Sequence, residues 1–507
     1  MVTAYSGSAL RRSTWHFITG KIVSAIFTFI LLLWLVRALP VDEYAAYVTF
    51  VAAVEVSFAL SFVGLPWLAA RYLPEFRIHA PIAALKKLSW RLVGWHFAIV
   101  CIFTLMLLAL LEVYLIQFRL EAYRSAAMIY LLVFIVEAVG RFAKENVLCA
   151  LFQQGIAQAS VVLRSFSFLV LLVLASFTQK IDLDLVAWSE LLASLVSTFL
   201  AIFGLWRYLS SLESQKKTKG WVEPSFWHMW PAALKMYGAQ LMTLVYSPQV
   251  VLNIVQFWLG AQAAATFGFL KQLYELVGRY LPATLLFSLV RPKLVASYVH
   301  AGSISDLSRN ANLAGKVSYL VLMPAIAFAA VGGEILVSML SGGKFTETGL
   351  LFFGLLLALV PLSQRQLLET VTVATGYAGI CTLAAATGLA VPLLMALLLE
   401  LGLGLWAGIV GIVLGHSLFD TIVLYGVTRK VGFSVDIKGY GNLLVAGFAG
   451  YLVAAALPYR ADDILMLAVM GIGTLIGYLS TLLWLRPIDE DERRRIYKLI
   501  RTDKLDR

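Results

Sequence analysis

The feature that most constrains this chain is a series of apolar runs about 20 residues long, separated by short polar breaks. A helix of that length spans the hydrocarbon core of a bilayer and satisfies its own backbone hydrogen bonds there. The composition agrees, because 61% of the residues are hydrophobic and 14% are charged. Soluble domains are about 45–50% apolar and about 25% charged. The sequence therefore predicts an all-α polytopic membrane protein.

Hydropathy predicts fourteen transmembrane helices, with boundaries good to a few residues. They are residues 14–36, 44–66, 91–116, 126–149, 156–177, 185–206, 234–257, 263–290, 317–340, 348–374, 377–399, 403–428, 440–458 and 463–485. With the N-terminus in the cytosol, the inner segments hold 27 of the 40 lysines and arginines, the outer loops six and the spans seven. This asymmetry predicts that both termini are cytosolic. It also explains the net charge of +11 without a nucleic-acid partner.

Two helical hairpins recur at matching places about 220 residues apart. The first turns at Leu39–Tyr44, and the second turns within Trp258–Leu270. Arg71, where the second span leaves the membrane, has a counterpart in Arg291. This recurrence suggests an internally duplicated bundle.

Several ionisable side chains fall inside the predicted spans, where each costs a few kcal/mol and usually faces a cavity or a partner. The candidates are Lys21, Glu55, Glu137, Arg141, Lys144, Glu145, Arg164, Glu190, Lys271, Glu275, Arg279, Arg365, Glu369 and Asp420. Three sets have i, i+4 spacing, namely Glu137/Arg141/Glu145, Lys271/Glu275/Arg279 and Arg365/Glu369. Either these sets neutralise themselves, or they line a cavity.

Four basic residues decide between those two interpretations. Lys21 and Arg164 have no obvious partner in the sequence, and each either snorkels to the interface or faces a cavity. Arg279 and Arg365 lie about 15 Å from the cytosolic ends of their helices, near mid-membrane, and are the best cavity candidates. A cavity of positive sign would hold a phosphate or an acidic group.

Motifs for catalysis or metal binding are weak in the sequence, since Asp182-Leu-Asp184 has the form of a glycosyltransferase metal motif but lies in a short outer loop without a nucleotide-binding domain. The six histidines form no metal-binding pair, the three cysteines have no disulfide or metal spacing, and no nucleophile–base set is evident. The outer loops are about ten residues or shorter, whereas a membrane enzyme with a bulky outer substrate usually carries a larger one. G-x-x-x-G spacings such as Gly473/Gly477 predict close helix packing.

Several stretches, in order and spacing, resemble the polysaccharide-flippase branch of the multidrug/oligosaccharidyl-lipid/polysaccharide exporter superfamily over essentially the whole chain. They are Leu35–Val48, Val63–Glu75, Gly342–Leu356, Thr372–Ile380 and Gly404–Gly415. One departure is Ala45, where the family commonly has glycine.

The resemblance implies two six-helix lobes related by a pseudo-two-fold axis, plus two C-terminal helices. The expected parts are a first lobe at 1–206, a cytosolic linker at 207–233, a second lobe at 234–428, helices 13 and 14 at 429–485 and a charged cytosolic tail at 486–507. The family's cavity lies between the lobes and is lined mainly by helices 1, 2, 7 and 8.

The resemblance also implies a substrate site. Lys21, Glu55, Lys271, Glu275 and Arg279 match cavity positions of the family. Arg141, Lys144 and Arg365 join them as substrate-binding candidates, and Asn253 and Gln256 could contact sugar hydroxyls.

The favoured hypothesis is a flippase of the bacterial inner membrane that moves undecaprenyl-diphosphate-linked oligosaccharide to the outer leaflet by alternating access. Its partners would be that lipid-linked glycan, the bilayer and, as an open option, polysaccharide polymerase or assembly proteins. No cofactor is expected; coupling to a proton or sodium gradient stays open, with Asp420 as the only hint. The alternatives are a multidrug/cation antiporter of the same fold, a polymerase or ligase of polysaccharide assembly, and a non-transporting scaffold.

Overall fold

A computed structural model describes residues 7–212, 221–285, 303–458 and 464–494, and every regular element in these ranges is helical. This confirms the predicted all-α class. The helices are α1 Gly7–Ala38, α2 Val41–Ser61, α3 Leu65–His79, α4 Ile82–Phe118, α5 Arg124–Arg141, α6 Gln154–Ser176, α7 Leu183–Ser211, α8 Phe226–Leu244, α9 Pro248–Leu259, α10 Ala261–Tyr280, α11 Ile304–Ser341, α12 Gly349–Leu357, α13 Leu359–Ala374, α14 Gly379–Thr387, α15 Val391–Glu400, α16 Leu405–Val431, α17 Ile437–Ala455 and α18 Ile464–Leu485. Shorter helical turns lie at Glu121–Tyr123, Pro282–Leu285 and Gly388–Ala390, and a π-helical segment lies at Phe142–Leu148.

Within these ranges, 11 helices are long and apolar enough to cross a membrane, or 12 if the bent pair α8–α9 forms one span. The described residues of each of the fourteen predicted spans lie mainly in helices. Two of them, on α10 and α17, are not among those 11 or 12. The total of fourteen therefore stays a prediction.

Both predicted hairpin turns are present. Leu39 and Pro40 separate α1 from α2, and Asp42 and Glu43 lie in the first turn of α2, where acidic side chains favour a helix start. Gly260 separates α9 from α10 with a φ of 81°, a backbone conformation that suits glycine. Arg291, the predicted counterpart of Arg71, lies outside the described residues.

The chain divides into two compact units, residues 1–268 and 269–507. In the first unit, α6 packs against α1 and α7, α5 packs against α7, and α2 packs against α5 and α9. The turn from α2 into α3 depends on Gly64, whose φ is 79° and whose missing Cβ would lie 3.0 Å from the backbone of Ala233 in α8. A side chain there would push α3 and α8 apart. This turn therefore fixes where the chain leaves the second span.

In the second unit, the 38-residue helix α11 packs against α12, α13, α17 and α18. The helices α17 and α18 pair closely because small residues line their contact. A Cβ on Gly477 would lie 2.8 Å from the carbonyl oxygen of Ala449. Gly477 is therefore a packing position, as its G-x-x-x-G spacing predicts.

The predicted linker at 207–233 is partly helical, because α7 extends to Ser211 and α8 begins at Phe226. Trp221 packs edge-on against Phe76 and donates a hydrogen bond to Glu75 at 3.1 Å, which attaches the described end of the linker to α3. Residues 213–220 of the linker and 495–507 of the tail lie outside the described residues. The predicted lobe boundaries remain predictions.

Candidate functional site

The first unit contains a network of charges centred on Glu137 of α5. Its carboxylate contacts Arg141 at 3.1 Å, Lys144 at 3.2 Å and Arg164 of α6 at 3.0 Å. The side chain of Glu137 is 3% exposed and that of Lys144 is also 3% exposed. Three cations therefore share one buried carboxylate.

Two further glutamates complete this network. Arg141 makes a two-pronged contact with Glu55 of α2, at 2.9 and 2.7 Å. Arg164 contacts Glu190 of α7 at 2.7 Å. We call the six residues Glu55, Glu137, Arg141, Lys144, Arg164 and Glu190 the α5 network.

The α5 network is electrically balanced, with three basic and three acidic side chains. Pairing of this kind offsets part of the free-energy cost of burying charged side chains within a membrane. Arg164, which has no partner evident from sequence spacing, is paired here with two carboxylates. Glu145, the third member of the predicted i, i+4 set, is exposed and makes no ion pair in the described structure.

Arg141 is the most exposed cation of this network, and Arg164 follows at 21% side-chain exposure. The side chain of Arg141 and that of its partner Glu55 are each 26% exposed. Its guanidinium also lies over the ring of Phe58, at 4.4 Å from the centroid. Lys144 follows in the π-helical segment, which carries it into the buried interior. Arg141 can thus meet a ligand, whereas Lys144 is enclosed.

In the second unit, three predicted site residues form a row along α10. Glu275 contacts Lys271 at 2.8 Å and Arg279 at 3.3 Å. Side-chain exposure rises along the row, from 5% at Lys271 through 19% at Glu275 to 58% at Arg279. With one carboxylate for two cations, the row has a positive charge to spare at its exposed end.

Arg365 of α13 is engaged on two sides. Its guanidinium contacts Glu369 at 2.9 Å and lies over Phe419 of α16 at 4.2 Å from the centroid. Both carboxylate oxygens of Asp420 are buried and accept no hydrogen bond from the described residues. No group of three histidine, cysteine or acidic side chains in those residues could hold a metal ion.

The remaining predicted site residues lie on α1 and α9. Lys21 is half-buried, with its ammonium 5.3 Å from the ring centroid of Phe17. Asn253 accepts a hydrogen bond from Tyr114 at 3.0 Å and donates to a backbone carbonyl of its own helix. Gln256 donates to the carbonyl oxygen of Phe118 at 2.9 Å. Both amides thus join α9 to α4, so a sugar contact would have to replace these bonds.

Sequence reasoning missed a third charged site, at Lys316 of α11, which it counted among the residues of an inner loop. Lys316 is 1% exposed and contacts Asp436 at 2.7 Å and Glu492 at 2.6 Å. Burial would raise the pKa of Asp436, but the hydrogen bonds from Lys316 and from the Gly439 N–H hold it below its usual value. The only available signal was a lone lysine within an apolar stretch.

The fold resembles that of solved structures described as a lipid II flippase and as MATE family transporters, one of them of the MOP superfamily, and the chain is a multi-pass membrane protein. Among solved structures, the lipid II flippase MurJ in an inward closed conformation matches with a TM-score of 0.66 and 13% identity, covering 93% of this chain and 98% of that one. An inward-facing multidrug resistance MATE family transporter matches at 0.60 with 15% identity, covering 80% and 94%. The MATE multidrug transporter DinF-BH matches at 0.58 with 12% identity, covering 85% and 97%. No protein-family model matches the sequence, and no curated protein matches it significantly.

Proposed function

We propose that this protein is a flippase that moves undecaprenyl-diphosphate-linked oligosaccharide from the inner to the outer leaflet of the bacterial cytoplasmic membrane. The observation that carries the proposal is the presence of partly exposed arginines within helices of a transporter fold. Arg141 is 26% exposed and Arg279 is 58% exposed. Guanidinium groups bind phosphate oxygens through paired, charge-assisted hydrogen bonds.

The two arginines differ in which carboxylate contact an anionic headgroup would have to replace. Arg279 shares Glu275 with Lys271, so a diphosphate can bind it without leaving a carboxylate unpaired. At Arg141, the headgroup would compete with the two-pronged contact from Glu55. We therefore assign Arg279 a direct contact and Arg141 a contact that forms only when Glu55 moves aside.

The proposed orientation places both termini in the cytosol, as the distribution of lysine and arginine predicts. The exchange of a headgroup between leaflets would follow alternating access, with most of the lipid chain remaining in the bilayer. A lipid II flippase is among the solved structures with this fold, and the match covers 93% of this chain. The fold is therefore compatible with a lipid-linked substrate.

The test is the leaflet on which lipid-linked oligosaccharide accumulates in cells lacking this protein. Accessibility to a membrane-impermeant glycosidase or lectin reports the outer leaflet. We expect accumulation on the cytosolic side, restored to export by the wild-type chain. Appearance of single units on the outer face without polymer would contradict the proposal and favour a polymerase or ligase.

Arg279→Ala sharpens this test, because Arg279 is mostly exposed and its loss removes little packing. We expect export to fail while the amount of membrane protein is unchanged, and Arg279→Lys to restore part of it. The matched control is Arg71→Ala, which removes another exposed arginine from an i, i+4 pair, here with Glu75 at 3.2 Å. Undiminished export by Arg279→Ala would remove Arg279 from the substrate site.

A multidrug exporter is the second candidate, favoured by the likeness to the two MATE structures. The three carboxylates of the α5 network could in that case serve a cationic substrate. Drug efflux that depends on Glu55 but not on Arg279 would support this candidate against the flippase.

A further inference from the structure

The first unit contains an apolar cavity of about 650 Å³ between α2, α4, α5 and α9. This volume lies within the range of about 300–1,000 Å³ that is typical of ligand pockets. We call it the α2–α4 cavity. Its lining is almost wholly hydrocarbon, with Phe50, Phe134 and Phe257 among the largest contributors.

The polar groups in the cavity wall are mostly turned into the protein. Ser57 donates to the carbonyl oxygen of Ala53 at 2.8 Å, and Tyr130 donates to Glu190 at 3.0 Å. Tyr114 and Asn253 bond to each other. Such a space offers water few hydrogen-bond partners and favours an apolar occupant.

Most of the exposed rim of the cavity is apolar. Leu110 is 52% exposed, Val113 is 59% exposed and Phe257 is 41% exposed. Gln117 of α4 is an exposed polar residue of the lining. Leu110 and Val113 belong to α4, a helix of spanning length and composition, and Phe257 belongs to the bent pair α8–α9. A hydrocarbon chain can therefore enter from the bilayer past the apolar side chains of the rim.

The α5 network lies next to the cavity along the same face of α5, although none of its six residues lines the cavity. Ala127, Tyr130 and Phe134 line the cavity, and Glu137 and Arg141 follow at the next i+3 and i+4 positions. From Phe134 to Arg141 is seven residues of helix, or about 10 Å. Apolar space and an accessible guanidinium thus lie within reach of one amphiphile.

Two aromatic rings form the boundary between these regions. Phe58 packs against Phe134 at a centroid distance of 5.6 Å, and Arg141 lies over the Phe58 ring at 4.4 Å. An anionic headgroup at Arg141 would therefore direct its hydrocarbon chain past Phe58 and into the cavity. Free phosphate or a soluble sugar would leave the cavity unused.

We propose that the α2–α4 cavity binds the isoprenoid chain of an anionic polyprenyl lipid, in the segment adjacent to the phosphate, while Arg141 faces the headgroup. The inference rests on the proposed function and names the part of the substrate that this site recognises. An acyl chain of a phospholipid has similar chemistry, so the experiment includes both lipids.

The experiment measures binding of undecaprenyl diphosphate, and separately of phosphatidylglycerol, to the purified full-length chain in phosphatidylcholine nanodiscs. Val113→Trp and Leu110→Trp narrow the mouth from its exposed rim. The matched control is Ile116→Trp, on the same helix and 62% exposed but outside the cavity lining. Folding of each variant is checked by its gel-filtration profile and thermal midpoint.

We expect both rim variants to weaken binding of undecaprenyl diphosphate by about tenfold, equivalent to about 1.4 kcal/mol. Ile116→Trp should bind as the wild type does, and phosphatidylglycerol binding should be unaffected by all three. Equal binding of undecaprenyl diphosphate by all variants would overturn the inference. Loss of phosphatidylglycerol binding alone would overturn it in favour of a structural phospholipid.

A flipping assay in the same nanodisc lipids, reconstituted into vesicles, separates this inference from the proposed function. Wild-type binding that is sensitive to Val113→Trp, without any flipping, supports the cavity site and contradicts the flippase. Flipping by the wild type that Val113→Trp and Leu110→Trp leave intact supports the flippase and contradicts the cavity site.

Discussion

The α5 network and the α10 row begin from the same sequence pattern, acidic and basic residues at i, i+4 within an apolar helix, and end as different structures. Around Glu137, side chains from α2, α6 and α7 close the pattern into a balanced and largely buried network. Along α10, the ion pairs described for the row join residues of the same helix, and side-chain exposure rises towards Arg279. The comparison teaches that spacing predicts pairing within a helix, whereas the neighbouring helices decide whether charge is neutralised or presented.

The substitution with the largest expected effect on this comparison is Glu137→Gln. The substitution leaves Arg141, Lys144 and Arg164 sharing an uncharged amide in a buried site. Removing one partner of a buried ion pair typically destabilises a protein by about 3–5 kcal/mol. We expect a large loss of folded protein in the membrane and a lower thermal midpoint in detergent.

Glu145→Gln is the control for this substitution, because Glu145 lies two turns further along the same helical stretch and is exposed. It should leave both measurements unchanged. A stable Glu137→Gln variant would mean that the network does not hold the first unit together.

A charge exchange between Glu55 and Arg141 separates structure from function. Each single reversal, Glu55→Arg or Arg141→Glu, places like charges in contact and should destabilise the chain. The double variant restores an opposite pair at these two positions but places a carboxylate beside Glu137, which Arg141 contacts at 3.1 Å. We therefore expect it to recover part of the lost thermal stability. If Arg141 contacts the substrate, transport stays low in the double variant; full recovery of transport would assign the pair a structural role only.

The exposure gradient along α10 predicts a graded response to substitution. Lys271→Met removes a cation that is 5% exposed and should lower the thermal midpoint by several degrees, because it removes the shorter of the two ion pairs described for the Glu275 carboxylate. Arg279→Met removes one that is 58% exposed, and surface pairs contribute about 0–1 kcal/mol. Equal thermal midpoints for the two variants would show that side-chain exposure along α10 does not determine how much each cation contributes to stability.

Acid provides the smallest and most selective test, at a charged site outside both regions. The pKa of Asp436 is lowered in the folded protein, so its stabilising effect is complete above the unfolded value of about 4. That effect is lost as the pH falls through the lowered folded value. The thermal midpoint of Asp436→Asn should lie slightly below that of the wild type at pH 7, and the difference should shrink as the pH falls below about 4. A constant difference across this range would assign the effect to packing.

Hydropathy predicted the helices well because each span is a local property of about 20 residues. The breaks at Pro40 and Gly260 were visible for the same reason, since each residue type restricts or permits its own backbone conformation. Gly477 followed from its spacing alone. These features can be predicted without knowing which helices pack against each other.

The candidate site was only partly predictable, because its pairs join distant positions. Arg164 reaches Glu190 across 26 residues, and Tyr114 reaches Asn253 across 139. Spacing within one helix carries no information about such contacts. The α2–α4 cavity was invisible for the same reason, since its four walls come from separate helices.

The segment that follows α18 begins with a reciprocal cap between Asp489 and Glu492. Asp489 accepts a hydrogen bond from the Glu492 N–H at 2.6 Å, and Glu492 accepts one from the Asp489 N–H at 3.0 Å. Glu492 also binds Lys316, 176 residues earlier in the chain.

This connection has a consequence for biosynthesis. When α11 emerges from the ribosome, both carboxylates that will neutralise Lys316 are still untranslated, because Asp436 and Glu492 lie further along the chain. The ammonium of Lys316 therefore has to keep its contact with water or lipid headgroups until those residues have been made. The buried position of Lys316 is then a late event in assembly, which can begin only after α17 and α18 have been synthesised.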